Sequence, residues 1–95
     1  MQVPIIAVSN DDGVEAPGLR ALCDELRLLG DVWVVAPNQE RSATSHGISL
    51  HDPMRCVEIA PQTFSLDGLP ADCMYVALNH ILPRRPDLVV SGINN

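Results

Sequence analysis

The sequence predicts an α/β fold: an open, mainly parallel sheet with flanking helices. Three observations predict it. Short runs rich in β-branched residues, Val3–Ser9, Asp31–Ala36 and Asp87–Val90, each stop at a polar cluster. Segments with apolar residues at helical spacing separate the first run from the second and precede the third. Strand, helix and strand joined by short turns form a βαβ unit, whose strands are parallel and whose crossover is right-handed.

Each element has its own justification. Val3–Ser9 is short, branched and ended by Asn10-Asp11-Asp12-Gly13, which favours a buried strand over a helix. Leu19, Leu22, Cys23, Leu26 and Leu29 then form one stripe of an amphipathic helix. Pro17 suits its first position, where the missing N–H costs nothing, and Gly30 supplies the stop. Asp31–Ala36 repeats the strand pattern, and Asn38–Ser45 is polar loop. Ile48–Leu50, Arg55–Ile59 and Thr63–Leu66, broken by Pro53 and Pro61, read as edge or excursion strands. Pro70 opens a second helix reaching Leu82, with Cys73, Val76, Ala77, His80 and Ile81 as its apolar face. Asp72 in its first turn complements the helix dipole, and His80 reads as a core histidine. Pro83 and Pro86 end the helix before the last strand.

Composition excludes whole classes of function. The chain has 95 residues and a net charge of −6, the size of one small acidic domain. No apolar run approaches the roughly 20 residues of a membrane span, and no basic region marks a signal peptide. Three cysteines without C-x-x-C spacing read as reduced, mostly buried thiols of a cytoplasmic protein, with Cys23 and Cys73 in the core. All six basic residues are arginines, and only Arg84 and Arg85 are adjacent, so there is no basic stripe for nucleic acid. An acidic, lysine-free domain that binds an anion must use arginine, a helix N-terminus or a metal ion.

Parallel strands bring their carboxyl ends to one sheet edge, where open α/β sheets bind ligands. Three polar clusters fall there: Asn10–Gly13, Asn38–Ser45 and Ser91–Asn95. Asp11 and Asp12 are the centre. Adjacent carboxylates repel unless a proton or a cation intervenes. Their oxygen donors suit Mg²⁺, Mn²⁺ or Ca²⁺ over zinc; the competing reading is an Asx turn that caps the following helix. Gly13 and Gly18 permit close backbone approach, and the helix starting near Pro17 aims N–H groups at the same edge. Arg41 is either a phosphate clamp or a solvated arginine, and Ser42 either an oxygen ligand or an N-cap. His46 and His51 are either proton donors or polar loop residues.

V-S-N-D-D-G after the first strand, V-V-A-P-N-Q-E-R-S-A-T-S after the second, P-A-D-C at the second helix and V-V-S-G-I-N at the third resemble the SurE family of metal-dependent 5′/3′-nucleotidases. The resemblance is colinear over the chain and rests on four motifs together. It implies a Rossmann-like core, with residues 1–95 as the N-terminal portion of a single domain that is incomplete at the C-terminus. It implies one divalent cation, Mg²⁺ or Mn²⁺, held by Asp11, Asp12, Ser42 and Asn94. Asp11 and Asp12 would be catalytic, and Asn10, Gly13, Arg41 and Ala43 would line the substrate. The implied reaction is hydrolysis of nucleoside monophosphates by a metal-activated water, in a protein that is a dimer or tetramer at full length. The alternative is a catalytically incomplete piece that only binds metal or nucleotide or oligomerises. Two departures stand out: Gly68-Leu69-Pro70 replaces the family's Gly-Thr-Pro, losing any capping role of that threonine, and S-G-x-N stops short of its usual continuation.

Two rivals fail on composition. A receiver-type signalling domain also places an acidic pair after its first strand, but needs a lysine that this chain lacks. A dinucleotide-binding domain needs G-x-G-x-x-G where this chain has N-D-D-G.

Overall fold

The computed structural model describes residues 3–38 and 55–92. Its five strands are β1 (Ile5–Ser9), β2 (Asp31–Pro37), β3 (Cys56–Ala60), β4 (Thr63–Leu66) and β5 (Leu88–Ser91), in the sheet order β3-β4-β2-β1-β5. Every pairing is parallel except that between β3 and β4. The expected α/β architecture is therefore present, with one antiparallel edge strand.

Side chains alternate across the sheet, so each strand feeds two cores. Ile6 and Val8 of β1 join Val32, Val34 and Ala36 of β2 under Leu19, Cys23 and Leu26 of α1 (Pro17–Leu26). On the other face, Val35 and Leu66 pack with Cys73 of α2 (Pro70–Val76) and with Ala77. The helices thus cover opposite faces. The α1 crossover leads from β1 to one side of the sheet, and α2 leads to β5 on the other. That reversal creates a topological switch point at the carboxyl ends of β1 and β5.

Three expectations need correction. Helix α1 ends at Leu26, short of Gly30, and Leu29 is 67% exposed rather than part of the buried stripe. The chain tightens there through bonds from Leu28 N to Glu25 O and Leu29 N to Leu26 O. Gly30 acts by close approach: a Cβ would stand 2.6 Å from the Pro4 carbonyl oxygen, and Asp31 N donates to that same oxygen. Second, Thr63–Leu66 is no excursion. It is an interior strand, parallel to β2 and antiparallel to β3. The expected strand at Ile48–Leu50 lies outside the described residues.

Third, His80 is exposed. After Val76 the helix widens over Ala77–Ile81, and Leu82 N bonds Ala77 O five residues back. The wide turn shifts the helical phase. Cys73 and Ala77 remain buried, whereas His80 swings out to meet the Tyr75 ring edge-on at 6.2 Å. The start of α2 has only half of a cap. Leu69 stands at the N-cap with no side-chain cap bond, while the Asp72 carboxylate accepts from Leu69 N at 3.0 Å.

The amino-end edge of the sheet is tied by two side-chain latches. Asp87 accepts from Ile5 N at 2.8 Å and pairs with Arg84 at 3.1 Å; Arg84 also donates to Val3 O. Gln62, at φ 57°, donates to Asp31 and to Val32 O, fixing the β3–β4 turn to β2.

Candidate functional site

Ser9 lies opposite Ser91 in the β1–β5 register, and Pro37 lies opposite Leu66. The first polar cluster follows Ser9, and the residues on either side of it, Ser9 and Val14, are tied to the flanking strands. Val14 N donates to Pro37 O at 2.7 Å, and Gly92 N donates to Ser9 O at 3.0 Å. Asn38 opens the second cluster at this edge, with its N–H on Leu66 O. The described starts of the three clusters converge, as parallel strands require. Arg41, Ser42, Ala43, His46, His51 and Asn94 lie outside the described residues.

Within the first loop, Asn10 is fully buried. Its amide nitrogen donates to Gly13 O at 2.9 Å, and its Oδ1 accepts from Gly13 N at 3.2 Å. Gly13 adopts φ 112°, a left-handed conformation that a side chain would strain. The same Gly13 carbonyl accepts from Ala16 N and so leads directly into α1. Asp11 and Asp12 are therefore presented from a four-residue ring set on the most buried part of the sheet. The first turn of α1 has Pro17 in place and no side-chain cap on Ala16.

Both aspartates are half-buried. One Asp11 carboxylate oxygen, Oδ1, is buried without a hydrogen-bond partner among the described residues. A buried unpaired acceptor costs stability unless a group outside the described residues satisfies it. An oxygen donor of this kind, next to a second carboxylate, suits a hard divalent cation. Among the described residues no group of three His, Cys, Asp or Glu gathers anywhere, so the acidic pair supplies only part of a ligand set.

Thiol chemistry does not compete with this site. Burial, reinforced by the negative charge of Asp72, pushes the Cys73 thiol up to about 12, and burial also raises Cys23. Cys56 alone of the three is exposed, on β3. A depression of about 360 Å³ lies between α1 and the β3–β4 hairpin, and neither aspartate lines it. Arg27, one of its basic residues, is already paired with Asp24 at 2.9 Å. No helix among the described residues is long and apolar enough to cross a membrane.

Residues 6–95 match the family described as Survival protein SurE. The chain belongs to the SurE family. It is 58% identical over 95 residues to a "5′-nucleotidase SurE" of Sorangium cellulosum, covering 97% of this chain and 37% of that protein. A Geobacter metallireducens protein of the same description is 54% identical over 89 residues, covering 94% of this chain and 35% of the relative. The fold matches the crystal structure of the SurE protein from Aquifex aeolicus with a TM-score of 0.87 at 40% identity. That alignment covers 96% of this chain and 38% of the Aquifex chain. The chain thus spans a little over a third of the SurE proteins it matches.

The Asn10 amide ring is the feature that sequence reading did not resolve. Asn10 stood among the substrate-lining residues, yet both its polar side-chain atoms are spent on Gly13. The signal was available, because Asn with Gly three residues later is a common turn pairing. The backbone ties from Val14 and Gly92 left no comparable trace in the side-chain pattern.

Proposed function

We propose that this chain carries the metal- and phosphate-holding part of a phosphate monoester hydrolase acting on nucleoside monophosphates. The observation that carries the reading is the Asp11–Asp12 pair at the switch point, with an Asp11 oxygen that is buried and unpaired among the described residues, in a chain similar to proteins described as 5′-nucleotidases. Asp11, Asp12, Ser42 and Asn94 would hold one divalent ion, Mg²⁺ or Mn²⁺. When bound, such an ion supplies a Lewis acid for a phosphoryl oxygen and an acidified water at neutral pH.

The chain's own groups do the rest. One of the two aspartates accepts the proton of the attacking water. Arg41 grips the phosphate with its planar fork, and the uncapped N-terminus of α1 adds a favourable dipole for the anion. Gly13 closes the floor of the site above the buried Asn10, and Ala43 would contact the substrate. Within these 95 residues there is no lysine, so the charge partners this chain offers the phosphate are a bound cation and arginine. The same reading places the protein in the cytoplasm, as a homo-oligomer at the full length of its relatives.

The test is release of inorganic phosphate from nucleoside monophosphates after chelation and after return of Mg²⁺ or Mn²⁺. Asp11→Asn and Asp12→Asn should each lower metal-dependent turnover by about 10²-fold or more. Unaltered turnover in both variants refutes the proposal. A second reading is a piece that binds metal or nucleotide without turnover. Metal binding without phosphate release would distinguish it.

A further inference from the structure

We infer that Asn10 is a positioning residue for the acidic pair: its side-chain amide locks the Asn10–Gly13 loop so that Asp11 meets a cation in a prearranged geometry. The inference rests on the metal-site reading above and adds a residue outside the ligand set. Asn10 has no exposed surface, so it is not a surface contact for substrate. It uses both ends of its amide on one residue, donating to Gly13 O and accepting from Gly13 N. That pairing spans the two aspartates and closes them into a ring.

Two features make the ring directional. Gly13 at φ 112° lets the backbone turn back onto Asn10, a conformation closed to most other residues. Val14 N on Pro37 O and Gly92 N on Ser9 O then anchor both sides of the ring to the neighbouring strands. With the backbone fixed at both ends, the loop holds Asp11 in one place at the sheet edge. Among the described residues an acceptor oxygen of Asp11 is left buried and unpaired, the state expected of a ligand held ready before its ion arrives. Without the amide, the loop is free to splay its carboxylates apart or to satisfy Asp11 from its own backbone.

The experiment is calorimetric titration of the metal-free protein with Mn²⁺, well below the melting temperature of each variant. Asn10→Ala removes the clamp from one end. Gly13→Ala strains it from the other while leaving Asn10 in place, and so decides the question where Asn10→Ala fails to fold. Each should weaken Mn²⁺ binding by about 10- to 100-fold, the usual loss when a residue orienting a ligand is removed. The double variant should lose little more than either single one, because both break one device. Asp11→Asn is the reference for loss of a ligand. Mn²⁺ affinity equal to wild type in the single variants, with Asp11→Asn impaired, overturns the positioning role and leaves the metal-site reading standing. Absence of Mn²⁺ binding in the wild-type protein overturns both. A merely structural role would lower the melting temperature of the folded variants without moving their Mn²⁺ affinity.

Discussion

Replacing Leu69 by threonine should restore a helix cap that this chain lacks, and replacing it by valine measures the cap alone. Leu69 occupies the N-cap of α2 in an extended conformation, φ −83° and ψ 163°, the backbone geometry a capping residue requires. Half of a reciprocal capping box is already built, since the Asp72 carboxylate accepts from Leu69 N. Leucine has no oxygen to complete the other half by accepting from the Asp72 N–H. Threonine and valine have nearly the same shape, so both lose the same apolar contact from half-buried Leu69. Their difference is then the cap, about 1 kcal/mol within a range of about 0.5–2. For a chain of 95 residues that difference is a melting-temperature gap of about 4–8 °C in favour of threonine. Thermal unfolding followed by far-ultraviolet circular dichroism reads it directly. Adding Asp72→Ala to both variants should shrink the gap, because the two bonds form one box. A threonine variant no more stable than its valine counterpart refutes the capping argument.

Asp87 makes acid stability testable. Its bond from Ile5 N, with help from Arg84, holds its carboxyl below the usual carboxylate range. A folded-state value below the unfolded one contributes stability above about pH 4 that is lost as pH falls through the folded value. Asp87→Asn should therefore flatten the fall of the urea midpoint below pH 4, and an unchanged slope contradicts it. Asp11→Ala should raise the metal-free stability by about 1 kcal/mol, by removing a buried acceptor that has no partner among the described residues, while abolishing the gain on adding Mn²⁺. Equal metal-induced shifts in variant and wild type would count against Asp11 as a ligand. With a disulfide-exchange reagent at neutral pH, Cys56 should react in the native protein, and Cys23 and Cys73 only after unfolding. Rapid reaction of all three would contradict the two buried environments.

The fold class was legible because it rests on periodicity. Ile5–Ser9 and Asp31–Pro37 are short, branched and bounded by polar clusters, and both are strands. Leu19, Cys23 and Leu26 keep helical spacing, and all three are buried. What periodicity could not show was the sheet order. Thr63–Leu66 looks like a peripheral strand because it is short and follows a proline, yet the crossing from β2 places it next to Val34–Pro37. His80 was misplaced for a related reason. A stripe drawn at 3.6 residues per turn assumes an unbroken helix, and the wide turn at Ala77–Ile81 breaks that assumption without any glycine or proline to announce it.

The candidate site divides along the same line. The acidic pair was visible because carboxylates side by side in a strand-end loop are chemically conspicuous. The frame that holds them was not, because it is made of main-chain bonds and one amide. Those bonds matter for a physical reason. Two negative charges on neighbouring residues gain by moving apart, and a free loop would let them. Here β1 is buried along its whole length, Asn10 is fully buried beneath the pair, and the loop is tied to β2 at Pro37 and to β5 at Gly92. The acidic pair is therefore held on a fixed frame at this sheet edge. A sequence shows which groups carry charge; it shows less readily which neutral groups stop that charge from relaxing.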